Sequence, residues 1–474
     1  MIIIESENNT KDQSFKGGMD MAKANDLTQG KVSSLILKFY FPMLLTNMLQ
    51  QMYNIADTAI VGKGLGDNAL AAVGNMSSLT FLIFGFSMGL ANGFSVITAQ
   101  SFGAKDYSKL RRSVASSAIL CFIIAAALTA LSTAFLKPVL HLLRTDEAIM
   151  HDGLVYGYFI FGGLIATIAY NLCSCILRAL GDSKTPFAAI IISTIVNIFL
   201  DTFCIFVLKT GVEGAAIATI FSQVVSAAIC FIRIRKIDVL NITKEDFRGN
   251  GALYGELFSN GLPMALMNSI TAVGCMVIQY FVNGLGVAYT TAYSACSKFI
   301  NLFMQPACTA GFAMSAFTSQ NYGAHRFDRI REGLHVCLTI ATIAYVVLGS
   351  VMVFLPTYLA KIMVSGAEPI AIAKTYLPIC GIFLFAVDFL FIFRNGNQGF
   401  GKPMIPMISG IAEMALRIGV IALFIPVIGF RATAYAEASA WIGALLLNMT
   451  AFEHTLKKNM AAPQAMPEKL SHAA

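Results

Sequence analysis

Three polar side chains within the apolar segments of the first half could bind a cation together. Asp57 lies in the first such segment, and Asn197 and Asp201 lie four residues apart in a later one. If that later segment is helical, this spacing places both side chains on one face. Carboxylate and amide oxygens suit hard cations, and a carboxylate alone can carry a proton. The pattern therefore predicts a site for a sodium ion or a proton, to which Asn171 and Thr219 would add neutral oxygens.

A hydrogen-bond cluster that only holds helices together is the alternative for these residues. It suits Asn171 and Thr219 as well as ion binding does. It suits Asp57 and Asp201 less, because burying two carboxylates without a cation is costly in free energy. The apolar segments of the first half offer no basic partner for them, since Lys38 lies near the end of its segment. We therefore expect the two carboxylates to bind a coupling cation.

The second half carries a different polar set. Glu413 and Arg417 are four residues apart, and this spacing most simply predicts an internal ion pair. Lys298, Asp388 and Glu437 would either line a cavity or pair with one another, and the sequence leaves both open. The difference between the two sets favours the first half as the place where the cation binds.

The composition indicates which elements must position these residues. The chain of 474 residues is 57% hydrophobic and 12% charged, whereas a soluble domain carries roughly 25% charged residues. Apolar stretches of about 20 residues or more, each long enough to cross a bilayer as a helix, lie at 35–61, 70–99, 113–137, 154–177, 187–208, 212–232, 257–282, 288–318, 334–356, 371–393, 404–426 and 432–452. They lack the alternation of barrel strands. The sequence thus predicts an all-α polytopic membrane protein with twelve transmembrane helices.

Lysine and arginine are distributed unevenly between the two sides of this topology. Most of the 33 lie in the tails or in loops on the side of the N-terminus, as at 105–112, 233–248 and 326–331. Since such residues favour the cytoplasmic side, both termini are predicted to be cytoplasmic and the chain to lie in the inner membrane. This topology accounts for the net charge of +7, so no nucleic-acid partner is expected.

The chain repeats its own pattern at an offset of 220 residues. The segment Ser95–Ala104 (SVITAQSFGA) matches Ser315–Ala324 (SAFTSQNYGA), and Gly181 matches Gly401. Six predicted helices separate the partners, so the halves share one orientation and are parallel repeats. The predicted organisation is a tail at 1–34, a six-helix N-lobe at 35–232, a linker at 233–256, a six-helix C-lobe at 257–456 and a tail at 457–474, with a central cavity between the lobes.

A proline interrupts the first predicted helix. Pro42 shares this helix with Asp57, about four turns away. Because proline removes one backbone hydrogen bond, it permits a bend in a membrane helix. We expect such a bend to respond to the charge on Asp57, with a static kink as the alternative.

Several motifs resemble those of the multidrug and toxic compound extrusion family over about residues 30–455. They are Asp57–Gly62 (DTAIVG), Gln100–Ala104 (QSFGA), Arg178–Pro186 (RALGDSKTP), Gly211–Thr219 (GVEGAAIAT) and Gln320–Ala324 (QNYGA). The resemblance is closer to the DNA-damage-inducible branch of bacterial members than to the sodium-driven Vibrio-type branch. It implies two six-helix lobes in a V, and the exchange of H⁺ or Na⁺ for organic cations.

The resemblance also implies a specific set of site residues. In the DNA-damage-inducible branch, the N-lobe cation site corresponds to residues that are all present here: Asp57, Asn197, Asp201 and Thr219, with Asn171 nearby. The Vibrio-type branch has a C-lobe site with a Glu in the seventh span and an Asp in the tenth. Asp388 matches that Asp, but the seventh span carries Gln279 and no acidic residue in its middle. A complete C-lobe cation site is therefore not expected.

The sequence as a whole predicts a secondary antiporter that exports amphipathic or cationic small molecules by alternating access. We expect it to work as a monomer, without a cofactor. A flippase for lipid-linked oligosaccharides or other lipids is the runner-up, but such proteins often have a strongly basic cavity, and only Lys298 and Arg417 are deep basic residues here. A membrane-embedded enzyme is a weaker alternative, because no span carries a His-Glu-x-x-His or a nucleophile motif.

Overall fold

A computed structural model describes residues 25–142, 145–248 and 251–461, and this part of the chain contains helices and no strands. The α-helices are α1 Val32–Leu65, α2 Asp67–Gly103, α3 Tyr107–Leu142, α4 Glu147–Gly162, α5 Leu164–Ala179, α6 Lys184–Thr202, α7 Val212–Arg235, α8 Gly251–Asn283, α9 Val287–Phe303, α10 Gln305–Gly323, α11 Phe327–Phe354, α12 Pro356–Met363, α13 Ala367–Gly399, α14 Met404–Ile428 and α15 Arg431–Ala461. The all-α prediction is thereby confirmed.

These helices account for the predicted spans. A bilayer offers the backbone no hydrogen-bond partners, so an apolar chain that crosses it satisfies its own N–H and C=O groups as a helix. Nine of the described helices are each long and apolar enough to span a membrane, and α4 with α5 forms a tenth span. The pair of α9 and α10, and the less apolar α15, complete the twelve spans that the sequence predicts.

Two spans are broken where the sequence indicates one continuous helix. α4 and α5 meet at Gly163 with a bend of 46°. α9 and α10 meet at Met304, and Pro306 lies in the first turn of α10, where its missing N–H costs nothing. A third irregularity is a π-turn at Phe203–Val207, which continues α6 just after Asp201. Such turns occur often at functional sites.

The helices form two lobes that α1 connects. α1 to α7 form the N-lobe and α8 to α15 form the C-lobe, each around buried apolar side chains. The first half of α1 packs on the C-lobe, because Val32, Ile36 and Tyr40 are buried in the C-lobe core. Its second half packs on α6 and α7 of the N-lobe. α2 packs along α8, which brings the two lobes together.

One side of the bundle carries most of the positive charge, and we call it the basic face. It is the side at which α1, α3 and α8 begin and α2, α7 and α10 end. The segment between α7 and α8 lies there, and ion pairs hold this region to α3: Lys109 with Glu256 at 2.9 Å and Arg111 with Asp246 at 3.6 Å. Residues 1–24 and 462–474, which fall in the two predicted tails, lie outside the described residues. The domain boundaries stay predictions.

Candidate functional site

The polar residues of the N-lobe lie on three helices that pack together. Asp57 lies in the second half of α1, Asn197 and Asp201 in α6, and Thr219 in α7, and α1 contacts both of the other helices. Asn197 and Asp201 are fully buried. The Asp57 and Asp201 carboxyl groups lie close enough to share a hydrogen bond when one of them is protonated. The two carboxyl groups that the sequence singles out therefore meet inside this lobe.

These side chains have buried oxygens without partners. Among the described residues, one carboxylate oxygen of Asp57, both of Asp201 and the amide oxygen of Asn197 accept no hydrogen bond, and no basic side chain pairs with either carboxylate. An unpaired carboxylate in a membrane interior is unstable unless it is protonated or binds a cation. The available oxygens fit a proton, and they equally fit a hard monovalent cation that prefers oxygen ligands.

Two tyrosines that the sequence analysis missed surround this pair. The hydroxyl of Tyr53 in α1 donates to Thr219 Oγ1 over a long 3.5 Å. Both Tyr53 and Tyr156 of α4 lie within electrostatic range of Asp57 and Asp201. Tyr53 had a signal in the sequence, because it lies four residues before Asp57 and so on the same helix face. Tyr156 is brought to the pair by the folding of α4 against α7, which no local pattern indicates.

Asn171 differs from the other residues of the predicted set. It lies in α5 and is half-buried, and its side chain makes no hydrogen bond to the residues that the structure describes. A polar cleft lies nearby, lined by Gln50 and Tyr53 of α1, Ser193 of α6, and Ser222 and Gln223 of α7. Tyr53 connects this cleft to the two carboxylates, since it lies within electrostatic range of both.

Four charged residues of the C-lobe form one buried network. The predicted pair exists, with Arg417 Nη2 at 3.5 Å from Glu413 Oε2, but it is not isolated. Arg417 also pairs with Glu437 at 3.0 Å, and Arg394 pairs with the other oxygen of Glu413. All four side chains are nearly inaccessible to solvent. The network joins α13, α14 and α15, and in it Glu437 pairs with Arg417, not with Lys298 or Asp388.

The structure corrects the predicted place of Arg394. The predicted tenth span ends at residue 393, which leaves Arg394 in a loop on the basic side. α13 instead continues to Gly399, and Arg394 is buried in the lobe. Hydropathy alone drops where polar residues such as Asn395 and Gln398 follow, so the helix end was not visible in the sequence.

The remaining C-lobe candidates are separate from this network. Asp388 in α13 is fully buried, and neither of its carboxylate oxygens has a hydrogen-bond partner in the described residues. Tyr40 of α1 and Cys308 of α10 lie within electrostatic range of it. Lys298 in α9 is exposed, and Gln279 in α8 donates to Asn283 of its own helix at 2.6 Å. The Asp388 carboxylate, like the N-lobe pair, is therefore stable only if it is protonated or binds a cation.

α1 links the candidate site to the opposite lobe. Pro42 lies inside α1, and the Thr46 hydroxyl donates to the Pro42 carbonyl at 2.8 Å. Asn47 donates to Thr309 Oγ1 of the C-lobe at 2.8 Å, whereas Tyr53 and Asp57 lie in the N-lobe site. The same helix therefore carries C-lobe contacts around Pro42 and the N-lobe carboxylate near its other end.

Known proteins resemble this chain in sequence. The sequence profile of the MatE family matches residues 42–203 and 263–423, once in each lobe. The chain is 28% identical to the probable multidrug resistance protein YoeA of Bacillus subtilis (strain 168), over 67% of this chain and 69% of that protein. It is 24% identical to DNA damage-inducible protein F of Escherichia coli (strain K12), over 74% and 78% of the two chains. This second likeness agrees with the branch that the motifs predict.

A solved structure gives the same picture of the fold. A crystal structure of MATE in the bent conformation superposes with a TM-score of 0.86 at 21% identity, over 92% of this chain and 97% of that one. The two-lobed helical fold is therefore shared, and the profile covers most of both lobes. The chain belongs to the MatE family of multidrug-efflux membrane transporters.

Proposed function

We propose that this chain is an antiporter that exports amphipathic, often cationic small molecules in exchange for H⁺ or Na⁺. The observation that carries the proposal is the buried pair of Asp57 and Asp201, which has no basic partner among the described residues. Two ionised carboxylates in contact repel each other, so capture of a proton or cation stabilises the pair. Relatives whose names describe multidrug resistance support drug-like substrates. No cofactor and no catalysis are part of this proposal.

The proposed orientation places the basic face in the cytoplasm and the chain in the inner membrane, because lysine and arginine favour that side. Contacts between the lobes run from Asn268, which donates to the Gly85 carbonyl at 2.9 Å, to Gln100, which donates to the Gly399 carbonyl at 2.9 Å at the basic face. These contacts support a state that is closed to the cytoplasm. Because one chain supplies both lobes, we propose that the monomer is the working unit.

Coupling follows if the cation and the exported molecule bind at different points of the cycle, or if each weakens the other. Filling the site removes the repulsion between Asp57 and Asp201. α1 can then repack against α6, since it carries both Asp57 and Tyr53. The exported molecule would leave on the side opposite the basic face.

Transport by the purified chain in proteoliposomes tests the proposal, with a fluorescent organic cation and with Na⁺ and H⁺ gradients imposed separately. Asp57→Asn and Asp201→Asn should each abolish gradient-driven efflux, because a neutral amide cannot exchange a proton or balance a cation charge. Asp328→Asn is the matched control, since its carboxylate is exposed and, among the described residues, pairs only with Arg326 at 3.5 Å. Full efflux by the Asp57→Asn, Asp201→Asn double variant would contradict the proposal. Movement of a lipid in place of any organic cation would favour the flippase.

A further inference from the structure

The two lobes meet at the basic face through contacts that repeat with the internal symmetry of the chain. Gln100 of α2 donates from its side chain to the Gly399 carbonyl at 2.9 Å, and Gln320 of α10 donates to the Ala179 carbonyl at 2.7 Å. Both donors and both acceptors are 220 residues apart, which is the offset of the repeat. We call these two reciprocal hydrogen bonds the inner gate.

Close backbone approach accompanies the inner gate. A Cβ atom on Gly103 would collide with the Gln320 carbonyl, and a Cβ atom on Gly323 would collide with the Gln100 carbonyl. Glycine is therefore required at both positions for the ends of α2 and α10 to touch. The two glycines belong to the repeated motifs of the sequence, and this contact gives those motifs a structural reason.

A short segment before α1 spans the same contact from outside, and we call residues Asn25–Gly30 the strap. On the N-lobe, Asn25 donates from its backbone N–H to the Leu180 carbonyl and from its side-chain amide to the Gly181 carbonyl, each at 3.0 Å. On the C-lobe, the Leu27 N–H donates to Gln320 Oε1 at 2.9 Å. Gln320 thereby takes part in the inner gate and holds the strap at once.

The strap is held more strongly by the C-lobe than by the N-lobe. Arg329, which is nearly buried, donates to the Gly30 carbonyl at 2.9 Å and to the Leu27 carbonyl at 3.2 Å. The Leu27 side chain is 3% exposed and packs in the C-lobe core together with the start of α1. By comparison, the N-lobe holds the strap through the two hydrogen bonds of Asn25. The lobes cannot separate at this face while both sets persist, so the weaker set has to break first.

We propose that the strap closes the inner gate, and that opening at the basic face releases Asn25 from the N-lobe while Leu27 stays on the C-lobe. The strap then moves with α1 and the C-lobe during each cycle. This inference rests on the alternating access proposed above, but it concerns a contact that can be measured without transport.

Cys175 provides a native reporter of opening at this face. It is 1% exposed and lines a cavity between the lobes that also contacts Ser95, Arg178 and Ser315. A membrane-impermeant maleimide, applied to inverted vesicles that hold the full chain, reaches this thiol only when the inner gate opens. The Cys175→Ser variant identifies its signal. Right-side-out vesicles labelled in parallel show on which side of the membrane the inner gate opens. They therefore distinguish a wrong prediction about the strap from a wrong orientation of the chain.

Asn25→Ala removes one hydrogen bond between the strap and the N-lobe and should raise the Cys175 labelling rate about two- to tenfold. Gln100→Ala removes one bond of the inner gate and should raise it by a similar factor. The matched controls are Asn459→Ala and Gln305→Ala, because among the described residues each of those side chains bonds only to the carbonyl four residues earlier in the chain. Both controls should label at the wild-type rate.

Asn25→Asp keeps the size of the side chain, removes its donor and places a carboxylate against a carbonyl, so it should label at least as fast as Asn25→Ala. This second variant decides the matter if Asn25→Ala fails to reach the membrane. Labelling of both Asn25 variants at the rate of the Asn459→Ala control would overturn the proposal. It would do so most directly if Gln100→Ala labelled faster in the same experiment.

Discussion

Neutralising Glu413 should destabilise the C-lobe by leaving Arg394, and not Arg417, without a carboxylate partner. Glu413 is the carboxylate between two arginines: Arg394 on one oxygen, and Arg417 at 3.5 Å on the other. In Glu413→Gln, Arg417 keeps Glu437 at 3.0 Å, but Arg394 loses its carboxylate while its side chain stays about 6% exposed. The variant therefore leaves one uncompensated charge inside the lobe.

The size of the effect follows from that single unpaired charge. Removing one partner of a buried pair costs about 3–5 kcal/mol, whereas replacing both partners with apolar side chains is often neutral. Arg394→Met with Glu413→Met removes a complete pair and leaves Arg417 with Glu437, so most of the loss should be recovered. Glu413→Met with Arg417→Met should recover little, because it leaves Arg394 and Glu437 both unpaired.

Thermal unfolding of the detergent-solubilised chain, followed by a thiol-reactive dye, measures this order of stability, since several cysteines are buried in the fold. Glu256→Gln is the matched control, because its pair with Lys109 is about 40% exposed and surface pairs contribute roughly 0–1 kcal/mol. Recovery by the Glu413 and Arg417 double variant, with none from the Arg394 and Glu413 double variant, would refute the network as described.

Three further outcomes are expected. Asn197→Ala and Thr219→Ala should weaken transport driven by a sodium gradient and leave proton-driven transport largely intact, because a proton needs only the carboxylates; equal losses under both gradients would contradict this. Pro42→Ala restores a backbone donor in α1, and efflux in proteoliposomes should fall if bending is part of the cycle, while a static kink would leave it unchanged. Asp388→Asn should leave efflux coupled to the N-lobe carboxylates, and loss of coupling in the same assay would move the cation site to the C-lobe.

The sequence predicted the spans and the repeat because both depend on local patterns. A long apolar run in a bilayer has few alternatives to a helix. The repeated segments Ser95–Ala104 and Ser315–Ala324 supply the two symmetric hydrogen bonds of the inner gate. Helix ends were harder to predict. The polar end of α13 reads as a loop by hydropathy, although the Glu413 carboxylate inside the lobe compensates Arg394 there.

Partner choice could not be predicted from spacing. The i, i+4 spacing predicts that Glu413 lies near Arg417, but it does not indicate which other helices pack against them. Arg394 and Glu437 are therefore partners that the spacing does not predict. The same holds for Tyr156 near Asp57, and for the strap, whose short polar segment resembles an ordinary terminal tail. In each case the missing information is which distant helix packs against the residue.

The contacts of α1 tie the candidate site to the basic face. Asp57 lies 15 residues beyond Pro42, or about 22 Å along a helix, and the strap directly precedes the first turn of α1. From Val32 to Asn47 the helix contacts the C-lobe, and from Tyr53 onward it contacts the N-lobe. A rigid α1 could not follow a rearrangement at Asp57 without disturbing Tyr40 and Asn47 on the C-lobe. Either those contacts shift and α1 displaces the strap, or the helix bends near Pro42, where one backbone hydrogen bond is already missing.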